Sequence, residues 1–144
     1  MPNPLHNCPR DTPFILIGED DHDDQELLRE TFHRLDENMA LVFVNSGIEI
    51  LQVLEELPDE IQPCLLILDY NMPGLTGGEI LKAIHGIERY NDLPKILWST
   101  SGAEKFRLAC LKLGAHDYFI KPSSYNELVR IAEYMLGVCR KNSL

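Results

Sequence analysis

Apolar residues along this chain fall into two alternating kinds of run. Short unbroken runs, such as Phe14-Ile15-Leu16-Ile17 and Leu65-Leu66-Ile67-Leu68, read as strands buried on both faces. Between them lie stretches whose apolar residues recur three and four apart, the period of a helix with one buried face. This pattern predicts strands over 14–18, 41–44, 65–69, 95–99 and 118–120. It predicts helices over 23–35, 47–57, 77–87, 103–113 and 125–139. Leu27, Leu28, Phe32 and Leu35 mark the inner stripe of the first helix; Leu128, Ile131, Ala132, Met135 and Leu136 mark that of the last. Pro58 closes the second helix and Gly114 the fourth. The proline-rich, polar residues 1–13 read as a flexible lead-in and 141–144 as a short tail, which leaves 14–140 as one domain.

Five strands alternating with five helices imply an α/β fold, a doubly wound parallel sheet joined by right-handed crossovers. In such sheets ligands gather beyond the carboxyl ends of the strands. The residues at those ends are informative: Glu19 and Asp20 after the first strand, Asp69 at the third, Ser99 at the fourth and Lys121 after the fifth. All are expected on one rim.

Composition narrows the function. The 144 residues carry 44% apolar and 25% charged side chains, the balance of one globular domain. Thirteen Lys and Arg against 23 Asp and Glu give a net charge of −10, which argues against direct nucleic-acid binding and suits a bound cation or a basic partner. The four cysteines, Cys8, Cys64, Cys110 and Cys139, show no metal-type spacing, and Cys64 and Cys110 sit in apolar patterns; a reducing compartment is expected rather than a disulfide framework. No stretch is long enough to span a membrane and the first residues lack a signal-peptide pattern, so a cytoplasmic location is expected.

Crowded carboxylates repel one another unless a cation sits among them. Asp20 and Asp69 are hard oxygen ligands suited to Mg²⁺, or to Mn²⁺, with the Asn71 backbone carbonyl as a third ligand and Glu19 holding a metal-bound water. Asp69 is then placed to attack phosphorus and form an aspartyl phosphate. Lys121 offers a mobile charge to the transferring group, and Ser99 or Thr100 a hydroxyl. Either isomer of the Lys121–Pro122 bond is open; the cis form is a modest-cost state that would aim the lysine inward.

These motifs together resemble the receiver domain of two-component response regulators: Glu19-Asp20-Asp21, Asp69-Tyr70-Asn71-Met72-Pro73-Gly74 with Gly77, Ser99-Thr100-Ser101, and Gly114-Ala115 leading to Lys121-Pro122. They recur in the family's order, 30 residues from Asp69 to Ser99 and 22 more to Lys121, across residues 13–140. The resemblance implies a flavodoxin-like receiver fold with strand order 2-1-3-4-5. It also implies that a sensor histidine kinase or phosphotransfer protein donates a phosphoryl group to Asp69, with Asp20, Asp69 and Asn71 binding Mg²⁺. Ser99 and Tyr118 match the switch positions. A downstream protein is expected to dock on residues 103–139, and homodimer formation is allowed. Few residues follow the last helix, so a stand-alone receiver, resembling those that serve phytochrome-type kinases, is expected. Such a domain catalyses only its own phosphorylation and dephosphorylation. Gly18, Ser99, Trp98 and Gly78 depart from the family's commoner residues, and Trp98 is expected to fill a pocket under a helix.

Plainer roles stand beside these. Asp23 and Asp24 read as first-turn acids favoured by the helix dipole, and His22 as a surface residue. A haloacid-dehalogenase-like phosphatase is the rival function, but it needs an acid two residues after the nucleophile, where Asn71 stands. A degenerate receiver that never takes phosphate is the third reading, against which intact Asp20, Asp69 and Lys121 weigh.

Overall fold

In a strand, successive side chains point to opposite faces, so each apolar run here feeds two cores at once. The computed structural model describes residues 8–142 and bears this out. The elements run β1 (Phe14–Gly18), α1 (His22–Leu35), β2 (Ala40–Val44), α2 (Gly47–Glu56), β3 (Leu65–Asp69), α3 (Gly77–Ile84), β4 (Lys95–Ser99), α4 (Glu104–Lys112), β5 (Asp117–Ile120) and α5 (Tyr125–Asn142). The strands form one parallel sheet in the order β2-β1-β3-β4-β5. That is the expected doubly wound flavodoxin-like arrangement. Phe14, Leu16, Leu66, Leu68 and Leu97 face α2, α3 and α4. Ile15, Ile17, Leu65, Ile67, Ile96 and Trp98 face α1 and α5.

Local signals set the helix starts. Asp21 caps α1 by accepting the Asp24 N–H at 3.0 Å, and Ser46 caps α2 by accepting the Glu49 N–H at 3.2 Å. Thr76 and Glu79 close a reciprocal capping box at α3. The third helix stops at Ile84, short of the expected 87, because His85 is extended and Gly86 turns the chain at φ +79°. The last helix instead runs on to Asn142; Arg140 and Lys141 in its final turn suit the negative end of the helix dipole. No helix among the described residues is long and apolar enough to cross a membrane.

The cysteine expectation is corrected. Cys64, just before β3, and Cys139, on the inner stripe of α5, are disulfide-bonded with their Cα atoms 4.8 Å apart. They lie 75 residues apart in sequence, so only the packing of α5 over the start of β3 brings them together. Cys110 is a buried free thiol, as a small apolar residue would be.

Candidate functional site

The alternation that builds the two cores continues past the strand ends and divides the site in the same way. Glu19 extends the β1 ladder, its N–H donating to the Val44 carbonyl at 3.0 Å. It therefore falls on the face of Ile17, the side of α1 and α5. Lys121 extends β5, its N–H donating to the Ser99 carbonyl at 2.8 Å, and follows Phe119 onto that same face. Trp98 lies there too, paired across β4 with Asp69 on one side and Phe119 on the other. Ser99 and Tyr118 take the opposite parity, toward α3 and α4.

On the first face, the Lys121 amine meets three carboxylates: Asp24 at 2.7 Å, Asp69 at 2.9 Å and Glu19 at 3.0 Å. Burial pulls the amine's pKa down, but Asp24, Asp69 and Glu19 outweigh it and hold the group above its usual range. The amine also lies 5.0 Å from the centroid of the Trp98 ring. Glu19 is completely buried. Its Oε1 accepts the Asp21 N–H at 3.0 Å, and its Oε2 accepts the Trp98 indole N–H at 3.1 Å. Burial nevertheless pushes its carboxyl up to about 7, with the Asp21 and Lys121 bonds opposing. Gln25, buried in α1, donates to the Glu19 carbonyl and to Asn45 Oδ1, tying the β1 and β2 ends to the helix.

Asp69 is nearly buried, with Oδ1 accepting the Asn71 N–H at 3.0 Å and Oδ2 facing Lys121. Asp20 is exposed at the mouth. Oxygens of Glu19, Asp20 and Asp69 lie within 4.8 Å of one another, a hard all-oxygen set that fits a divalent cation such as Mg²⁺ or Mn²⁺. Both oxygens of Glu19 and both of Asp69 already accept protein donors, which leaves Asp20 as the freest ligand of the three.

On the second face, Ser99 is fully buried and its Oγ accepts the Ser101 N–H at 3.1 Å and the Asn71 side-chain amide at 3.4 Å. Tyr118 is turned inward, its hydroxyl donating to the Ser101 carbonyl at 2.8 Å. The Ser101 backbone thus joins the Ser99 hydroxyl to the Tyr118 phenol. Thr100 is exposed on the loop, so Ser99 is the hydroxyl at the rim.

The departures noted in the sequence have local causes. A Cβ on Gly18 would stand 3.0 Å from Met72 Sδ and 3.1 Å from Ile50, so these side chains fill the space of a branched residue. A Cβ on Gly78 would stand 3.3 Å from the Tyr70 ring, which packs at a tilt against Phe106 with the ring centroids 4.9 Å apart. Trp98 is buried under α1 and α5 as expected, with a polar role added.

One open reading is decided and one expectation is corrected. No peptide bond among the described residues is cis, so Lys121–Pro122 is trans; the ladder bond to Ser99 and the strand parity aim the lysine without an isomer. Asp24 is not a merely solvated first-turn acid, since it makes the shortest of the three contacts to Lys121. Helical spacing could have found it: Asp24 lies one position before buried Gln25 and four before buried Leu28, on the margin of the inward face.

The sequence model of the response regulator receiver domain matches residues 15–133. The chain is 28% identical over 123 residues to the chemotaxis protein CheY homolog of Campylobacter jejuni, covering 85% of this chain and 92% of that protein. It is 33% identical over 120 residues to an uncharacterised 14.6 kDa protein of Leptolyngbya boryana, covering 83% and 86% respectively. Among solved structures, the phosphorylated cyanobacterial phytochrome response regulator RcpA superposes with a TM-score of 0.77 at 25% identity, over 86% of this chain and 94% of that one. A response regulator in red-light signalling of R. palustris gives a TM-score of 0.76 at 27% identity, over 85% and 90%.

Proposed function

This chain belongs to the response regulator receiver domain family, and from that premise we propose that Asp69 is its phosphoacceptor, taking the phosphoryl group of a phosphohistidine on a sensor kinase or phosphotransfer protein. The observation that carries the reading is the Lys121 amine held against Asp69, Glu19 and Asp24 beside an all-oxygen cluster. A carboxylate oxygen of Asp69 attacks phosphorus; the P–N bond to the donor imidazole breaks, its electrons stay on nitrogen, and that nitrogen takes up a proton. Mg²⁺, or Mn²⁺ in its place, would be held by Asp20, Asp69 and the Asn71 carbonyl with Glu19 behind them, and would neutralise charge on the transferring group.

This chain's own groups do the rest. Lys121 turns a donor from its carboxylates to a phosphoryl oxygen. Ser99 donates its hydroxyl proton to another phosphoryl oxygen, and the move draws its Oγ away from the Ser101 N–H and the Asn71 amide, from which it accepts. The Ser101 backbone then loses its hold on Ser99, and the change passes to Tyr118 through the 2.8 Å bond from its hydroxyl. Tyr118 lines a groove of 370 Å³ with Gly102, Arg107, Ile120 and Ile131, and Leu108, Ile120 and Tyr125 are exposed nearby on α4, β5 and α5. That face, within residues 103–139, is where a downstream protein would read the switch. The phosphatase alternative is disfavoured by Asn71, which has no acidic proton for a leaving group and whose amide donates to Ser99.

With acetyl phosphate and Mg²⁺, the protein is expected to gain the mass of one phosphoryl group, and Asp69→Asn to gain none. Intact-mass spectrometry reads both. An unmodified wild type, or an equal adduct on Asp69→Asn, contradicts the assignment.

A further inference from the structure

We propose that Asp24 is a positioning residue for the Lys121 amine, which it holds at α1 in competition with the phosphoryl group acquired by Asp69; this rests on Asp69 being the phosphoacceptor. An ammonium has three donors and no acceptor. Lys121 donates to Asp24 at 2.7 Å and to Asp69 at 2.9 Å, with Glu19 in ion-pair contact at 3.0 Å. A phosphoryl oxygen competes with these carboxylates for the amine.

The three partners differ in how readily they yield. Glu19 is completely buried and fixed by the Asp21 amide and the Trp98 indole. Asp69 is the acid being modified. Asp24 is the most exposed of the three, with 29% of its side chain open to solvent, and the only one carried by a helix rather than by a strand or its extension. The amine lies over the Trp98 ring, 5.0 Å from its centroid, and of the two contacts left when Asp69 is modified, the one to Asp24 is the less restrained.

Charge gives the competition its direction. Asp24 adds a negative charge one ammonium away from Asp69, so it repels an arriving anion while it holds the donor that the anion needs. Replacing it by asparagine keeps the shape, weakens the hold on the donor and removes the repulsion. The same change removes a charge that attracts a cation. Asp24 thus sets how strong a phosphodonor must be before the switch responds.

Trp98 is the chain's single tryptophan and lies under the amine, so its emission reports where the amine sits. The test is a titration of beryllofluoride, which mimics the phosphoryl group, into wild type, Asp24→Asn, Asp24→Glu and Asp69→Asn at saturating Mg²⁺. The expected result is beryllofluoride binding about fivefold tighter in Asp24→Asn, near wild type in Asp24→Glu, and absent in Asp69→Asn. A separate Mg²⁺ titration is expected to show weaker metal binding in Asp24→Asn. A purely structural Asp24 would weaken both ligands or neither, so opposite signs are diagnostic. Equal or weaker beryllofluoride binding by Asp24→Asn, with a responsive wild type, overturns this inference and leaves the phosphoacceptor assignment standing. A wild type that does not respond overturns both.

Discussion

Glu19 carries a carboxyl group into a place that water does not reach, and that burial is what raises its pKa to about 7. In the unfolded chain the group returns to its ordinary value of 4.5, so the metal-free protein takes up a proton on folding between those limits. The resulting stabilisation is full below pH 4.5 and is lost as pH rises through about 7. Metal-free wild type should therefore lose several degrees of melting temperature relative to Glu19→Gln as pH rises over that window. Parallel melting curves for the two proteins would show that Glu19 folds already ionised. Mg²⁺ favours the ionised form and should oppose the loss. Individual acids were only partly readable in the sequence. Asp69 and Asp20 stand out because each follows an apolar strand, whereas Asp24 is one of several acids at a helix start and only the fold pairs it with Lys121.

The loops after the strands convert regular secondary structure into a site, and they depend on close backbone approach. Gly77 opens α3 beside the loop that follows Asp69, and its N–H donates to the Tyr70 carbonyl at 2.9 Å. An added Cβ would stand 2.6 Å from Leu97 Cδ1 and 3.1 Å from both the Asp69 carbonyl oxygen and Tyr70 Cα. Helix propensity alone favours alanine by about 1 kcal/mol. Overpacking a fully buried Leu97 opposes it, at about 1–3 kcal/mol. Gly77→Ala is thus expected to lower stability in urea unfolding and to slow adduct formation at Asp69; an unchanged or raised midpoint would mean that the loop yields freely. The strands were readable almost to the residue because apolar runs end at charged or polar groups. Helix ends were less so: α3 stops where Gly86 takes a positive φ, a conformation that a glycine permits but does not announce.

Across the whole molecule, one sheet presents two chemical faces at its carboxyl edge. Lys121, Glu19 and Asp24 hold charge beside Trp98 on the α1–α5 side, while hydrogen bonds join Ser99, Ser101 and Tyr118 on the other. The two-residue period alternates the faces within β1, β4 and β5, and the register of the sheet then groups Trp98, Glu19 and Lys121 on one of them. The Cys64–Cys139 bond had no such signal, since it depends on where α5 comes to rest. Every role assigned to these residues depends on Asp69 being the acid that takes the phosphoryl group. Reducing the phosphorylated protein with borohydride and sequencing its peptides tests this most directly, because an aspartyl phosphate becomes homoserine. Homoserine at position 69 is the predicted result; homoserine at Asp20 or Asp24, or at no acid in a protein that carries the phosphoryl group, would contradict it.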